Sequence, residues 1–178
     1  DLNGADLSKV MEQERNLHAI ATPTYEIAGD RKAVVFCASV AQAERLAEIL
    51  NRHEAGCARF VFGGTPKPDR RRLFKDFDAG RFRFLCNCMI ATEGWDCPTV
   101  DMVVIGRPTK SRSLFAQMVG RGLRPLPGLV DSPASSDSPG VRKSLIFESA
   151  KPFCEVLDFV GASGRHKLIT TADILGGD

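Results

Sequence analysis

A chain of 178 residues, 43% hydrophobic and 26% charged, holds enough apolar material for one globular domain with a proper core. A net charge of +2 neither demands nor excludes nucleic acid, so local charge must decide that question. Within these 178 residues no stretch is expected to act as a signal peptide, and no apolar run reaches membrane-spanning length.

Residues 1–30 read as helix with a flawed middle. Leu7, Val10 and Met11 space helically, and Leu17, Ile20 and Ala21 repeat the pattern. Pro23 is expected to begin or kink a second helix, with Gly29-Asp30 closing the region. The abrupt start at Asp1, without an initiator Met, points to a piece of a longer protein.

Residues 33–38 form a continuous apolar run of strand length, as in a parallel strand buried on both faces. Ser39 follows as a helix N-cap, with Gln42 in the position that completes a capping box. Ala43, Leu46, Ala47 and Leu50 give that helix one apolar face. A second strand is expected at 58–62, ending in Gly63-Gly64-Thr65, with Thr65 as the next cap and Pro66 in the first turn. Leu73, Phe74 and Phe77 supply that helix's buried face, Arg70, Arg71 and Arg72 its solvated side, and Gly80 its end. The third strand spans 83–88, with Phe82, Phe84 and Cys86 alternating onto one face. The fourth spans 102–105.

Such an alternation of strands and helices implies βαβ units and a parallel sheet. Ligands of parallel sheets sit at the carboxyl ends of the strands. Ser39, Gly64, Thr92 and Thr109 each follow a strand and so fall along that edge.

Ser111 or Ser113 can cap a further helix, with Leu114, Phe115, Met118 and Val119 on its apolar side. Gln117, Arg121 and Arg124 are spaced to share one face. Gly120 and Gly122 loosen the last turn, and Pro125 ends it. Two guanidiniums beside an amide suit a polyphosphate, because a guanidinium stays charged and forks onto phosphate oxygens. A solvated basic helix end is the bland alternative.

Beyond it, the loop at about 126–140 is too polar and proline-rich between Asp131 and Gly140 to pack, and is expected to be mobile. Residues 141–149 suit a helix, though Leu145-Ile146-Phe147 also tolerates strand, and 153–159 form the last strand, with Asp158 structural. Cysteines stand at 37, 57, 86, 88, 97 and 154, mostly inside apolar runs and with no C-x-x-C pair. Reduced core thiols in a cytoplasmic protein are the better reading than a metal centre, and no metal site is expected. Gly161 to Lys167 lacks the G-x-x-x-x-G-K-[ST] order of a phosphate loop.

Gln117 to Arg124 fits the Q-x-x-G-R-x-x-R signature of superfamily 2 helicases, motif VI. Residues 91–98, Ala-Thr-Glu-Gly-Trp-Asp-Cys-Pro, resemble motif V in its E-G-x-D-x-P form, and the junction at Ser39 resembles motif IV. The resemblance covers the chain from about residue 30 onward and is nearest the type III restriction and DNA-repair branch, phage-encoded helicases included. It implies an α/β, parallel-sheet, RecA-like (P-loop NTPase-like) domain in three α/β/α layers over 31–178, with residues 1–30 as a helical lead-in. It further implies the second RecA-like domain of an ATP-dependent DNA helicase, working in a bacterial or phage-infected cytoplasm. ATP and Mg²⁺ would be bound with an N-terminal RecA-like domain of the same polypeptide, which holds the Mg²⁺ ligands.

By the same resemblance Arg121 and Arg124 are arginine fingers, and Gly94, Asp96 and Gln117 face the nucleotide. Gln117 stands where many relatives carry His. Ser39, Gly64, Thr92 and Thr109 would grip a DNA or RNA strand through its phosphates. Trp95 is expected to pack under the loop, the alternative being a base stack. Arg165 and His166 recur in similar phage helicases without an assignable role. A non-catalytic nucleic-acid module of the same fold is a rival, opposed by the intact arginine pair. A small-molecule nucleotide enzyme is another, opposed by the lack of G-x-G-x-x-G after the first strand.

Overall fold

The structure, a computed structural model, describes residues 9–90, 95–109, 111–130 and 138–161. Thr92, Gly94, Arg165 and His166 lie outside them, as does the stretch 131–137 of the loop expected to be mobile.

Five strands form one all-parallel sheet in the order β2-β3-β1-β4-β5. They are β1 (Ala33–Cys37), β2 (Ala58–Phe62), β3 (Phe84–Cys88), β4 (Met102–Gly106) and β5 (Glu155–Asp158). Between them run helices α1 (Glu14–Ala28), α2 (Val40–His53), α3 (Lys67–Asp78), α4 (Arg112–Gly122) and α5 (Pro139–Phe147). Every residue of β1, β3 and β4 is buried, as their unbroken apolar runs require of central parallel strands.

Alternation along the strands divides the core in two. Ala33, Val35 and Cys37 of β1 join Phe84, Cys86 and Cys88 of β3 under α1 and α2. Val34, Phe36, Leu85, Val103 and Ile105 face the other way, against Phe77 of α3, Met118 of α4 and the segment from Trp95 to Val100. The three-layer arrangement follows. Connections that step leftward from β1 to β2 use the α1/α2 face, and those that step rightward use the other, so all keep one hand.

Several expectations need correction. α1 runs unbroken through Pro23, which neither starts nor splits it. Its neighbours toward the core are Ile20, Ala21 and Thr24, while Ala19, whose carbonyl loses its helical donor, is on the exposed side where solvent can replace it. Phe82 precedes β3 and packs with Phe77 in the second core, opposite Phe84, because the strand pleat begins only at Phe84. Thr65 is not a cap. Its hydroxyl accepts from the Phe62 amide and closes a turn, leaving uncapped Pro66 to start α3. Pro139 and Gly140 belong to the first turn of α5 rather than to the loop. β5 is shorter than 153–159, since it is an edge strand and Phe153 stands 65% exposed before it.

Candidate nucleotide- and nucleic-acid-facing sites

The carboxyl edge of the sheet is assembled from short polar turns. Ser39 caps α2 by accepting from the Gln42 amide at 3.0 Å. Gln42 does not close the reciprocal half of the box. Its side chain is fully buried, accepts from the Ala38 amide at 2.6 Å and donates to the Gly106 carbonyl at 2.9 Å, tying the ends of β1 and β4 together. Asn87 plays a similar part inside the sheet, donating to the Val35 carbonyl. Neither role could be read from pattern, since a buried amide has the same sequence signature as an exposed one.

The Ser39 hydroxyl also donates to Glu12, at 2.5 Å, so a carboxylate already sits at that helix N-terminus. Thr109 accepts from the Ser111 amide at 3.1 Å, and Ser111 in turn caps α4 through the Leu114 amide. Gly64 is exposed, and a side chain there would meet the Phe62 ring. Arg71 and Arg72 are exposed on α3, and Arg70 is half-buried.

A second group forms elsewhere. α4 starts beyond the carboxyl end of β4 and runs back along the sheet, so that Gly122 reaches Val103 near the beginning of that strand. A side chain at Gly122 would meet Val103 and Cys154, whereas Gly120 has open space. Gly122 is therefore a close-packing position and does not loosen the turn. The helix ends there, so Arg124 lies beyond it and does not share a helical face with Gln117 and Arg121. Gln117 is exposed one turn ahead of Arg121.

Across from this end runs a strap, residues 95–101, which turns at Pro98-Thr99. Trp95 is 7% exposed and stacks on Phe74 at 4.9 Å between ring centres, with Phe77 at 5.8 Å, so it packs as expected. Arg121 donates to the Trp95 carbonyl at 2.5 Å, and Arg124 forms an ion pair with Asp96 at 2.5 Å. Burial, and secondarily the charge of Arg124, push the Arg121 guanidinium below its usual range, with Asp96 partly opposing. Arg124 and Asp96 stay about half exposed, at 47% and 55%, so their pairing contributes little stability by itself.

The strap is pinned below by two lysines that the sequence reading passed over. Lys32 donates to Thr99 at 3.1 Å and to the Asp78 carbonyl at 2.6 Å. Lys151, 7% exposed, donates to the carbonyls of Pro98 and Arg124, both at 2.7 Å. The structure thus gathers Asp96, Arg121 and Arg124 in one place and leaves Ser39, Gly64 and Thr109 along the carboxyl edge. Among the described residues no cluster of three or more His, Cys, Asp or Glu could hold a metal, and no helix is long and apolar enough to cross a membrane.

The family model described as "Helicase conserved C-terminal domain" matches residues 12–125. A Saccharomyces cerevisiae protein provisionally named the ATP-dependent helicase IRC3 is 36% identical over 104 residues, which is 58% of this chain and 12% of that protein. A 51.5 kDa protein of Lactococcus phage (isolate 7-9) is 38% identical over 98 residues, 54% of this chain and 21% of that one. The chain therefore spans only about a fifth or less of these relatives. Among solved structures, a fragment provisionally assigned as an HsdR subunit of a type I restriction enzyme from Vibrio vulnificus superposes with a TM-score of 0.68. It is 19% identical, over 97% of this chain and 32% of that one. The C-terminal domain of the DEAD-box protein Dbp5 gives 0.57 at 19% identity, over 83% and 71%. At these identities the two superpositions speak for the fold.

Proposed function

The chain belongs to the helicase conserved C-terminal domain family, and from that premise we propose that it is the second RecA-like motor domain of an ATP-dependent DNA helicase or translocase. In this reading residues 31–178 form the domain, with residues 1–30 as its helical lead-in. An N-terminal RecA-like domain of the same polypeptide supplies the phosphate loop and the carboxylates for Mg²⁺. This chain supplies the opposite wall of an ATP cleft.

The observation that carries the proposal is the meeting of Arg121, Arg124 and Asp96 where α4 ends against the strap. Arg121 already has one guanidinium nitrogen on the Trp95 carbonyl, which holds its planar fork in a fixed direction before nucleotide arrives. Fixed donors of this kind stabilise charge that develops on a transferring phosphoryl group, without reorganising during the reaction. Asp96 neutralises Arg124 and orients it, and its remaining oxygen is available to a ribose or the attacking water. Gly94 and Gln117 complete the nucleotide side.

The carboxyl-edge residues take a different role. Ser39, Gly64, Thr92 and Thr109 contact one nucleic-acid strand through phosphates, which needs no reading of bases. Closing and opening of the cleft then steps these contacts along the strand.

The test is single-turnover ATP hydrolysis by the full-length protein at saturating nucleotide and DNA, paired with equilibrium ATP binding. Arg121→Ala is expected to slow hydrolysis roughly 10³-fold while weakening ATP binding far less, with Lys a poor substitute. Hydrolysis near the parent rate in Arg121→Ala would remove this end of α4 from the chemistry. The 178-residue chain alone is expected to fold without hydrolysing ATP, and robust DNA-stimulated turnover by it would overturn the two-domain reading.

A further inference from the structure

A lysine ammonium in an almost dry position is an unusual choice. Lys151 has only 7% of its surface exposed, in a segment just before the edge strand β5. Taking an ammonium out of water is costly unless hydrogen bonds replace its hydration. Here the replacements are two backbone carbonyls at 2.7 Å, one from Pro98 in the strap and one from Arg124 after α4. Among the described residues no carboxylate forms an ion pair with it. Burial leaves its pKa below the ordinary lysine value, with the Asp101 carboxyl opposing only at longer range. The ammonium is therefore used to join two chain segments, and those segments carry the two members of the Asp96–Arg124 pair.

We propose that Lys151 is a positioning residue for Arg124: its ammonium holds the strap and the segment after α4 at the separation where Arg124 meets Asp96. The proposal rests on the reading of Arg124 as a polyphosphate ligand and deepens it. Asp96 and Arg124 are exposed enough that their own attraction does not fix the spacing of their backbones. Trp95 anchors one end of the strap in the core, and Lys32 anchors Thr99. Lys151 is the member of the set that reaches the α4 side. Without it, two carbonyls lose a charged donor and the segments are free to drift, and a drift of about 1 Å at a reacting centre can cost on the order of 10²-fold in rate.

A double-mutant cycle in the full-length protein tests this, read by single-turnover ATP hydrolysis at saturating ATP and DNA. Lys151→Met keeps the stem and removes the donor. It is expected to lower the hydrolysis rate about 10-fold or more and to move KM for ATP less than about 3-fold. In an Arg124→Ala background the same substitution is expected to cost less than about 2-fold more, because the group it positions is gone. A merely structural lysine would cost the same factor in both backgrounds, and that result, or parent-rate hydrolysis by Lys151→Met alone, overturns the proposal. If Lys151→Met does not accumulate folded, Lys151→Gln replaces it in the same cycle, with thermal melting as the check on folding. Parent-rate hydrolysis by Arg124→Ala alone would instead overturn the reading of Arg124, a failure distinguishable because Lys151 is intact in that variant.

Discussion

At the end of α4, Arg121 and Arg124 are met by a strap whose tryptophan is buried and whose backbone is tied by two lysines. At the carboxyl edge of the sheet, Ser39 and Thr109 spend their hydroxyls on local turns and caps, and Ser39 is further engaged by Glu12. On the proposed reading the first region is built around fixed donors, as chemistry on a transferring group requires. The second offers half-buried turns at Ser39 and Thr109 and an exposed one at Gly64, which on the proposed reading suit contacts made and released as a strand moves. The difference teaches that tertiary support, and not residue type, separates the two regions: one set of polar groups is held by long-range partners, the other by its own turns.

The largest test of that contrast sets Arg121→Ala against Ser39→Ala. The former is expected to lose about 10³-fold in turnover at saturating substrates. The latter should leave turnover per bound complex nearly unchanged and weaken DNA binding, and Arg71→Ala and Arg72→Ala should also spare turnover and at most alter salt-dependent DNA affinity. Equal losses of turnover in Arg121→Ala and Ser39→Ala would erase the distinction.

The glycines of α4 give the next effect. Gly122→Ala places a methyl against Val103 and Cys154 and is expected to cost about 1–3 kcal/mol. Gly120→Ala meets open space and should stabilise by roughly 0.5–1 kcal/mol. Urea unfolding of the two variants reads both signs, and destabilisation by Gly120→Ala would contradict the packing described.

Alkaline pH acts on the thiols beneath the two regions. Burial raises Cys37, Cys57, Cys88 and Cys97 above the usual thiol value, and raises Cys154 to about 11. A group whose folded pKa is raised contributes stability that is complete below its unfolded value and lost as pH climbs through the folded one. Stability is therefore expected to fall from about pH 9 upward. Lys151 opposes this, because its pKa is depressed and the unfolded chain binds the extra proton below about 10.5, but it is one group against five. Urea midpoints from pH 8 to 11 check the trend, and Cys154→Ala should make it shallower.

The smallest expected effect is at Glu12. Glu12→Gln removes a negative charge from the Ser39 cap and should tighten DNA binding by about 2- to 5-fold at low salt, with the gain shrinking as salt is added. Unchanged binding would mean that the Ser39 cap does not receive a phosphate.

The strands β1 to β4, the helices between them and the parallel pairing were legible in the chain because they rest on local pattern, while the strand order was not. Runs such as Ala33–Cys37 suit central strands, and Ser39 announces a helix start by chemistry that acts within four residues, whereas the choice of Ser111 over Ser113 as the cap of α4 came from the structure. The arginines were legible as residues near a helix end, but the helical spacing expected to align Arg124 with Arg121 was not what brings them together, because the helix ends at Gly122 and Arg124 is placed by the strap. What only the tertiary structure decided were relations across long sequence separations. Lys151 reaching Pro98, Gln42 reaching Gly106, Glu12 reaching Ser39 and Gly122 lying against Cys154 all depend on which surfaces the sheet order brings together. A lysine, a glutamine or a glycine carries no mark in sequence of being buried, because the free energy that permits its burial comes from partners supplied by other elements. Pattern specified the layers, and the packing of one layer on another specified which polar groups could be held between them.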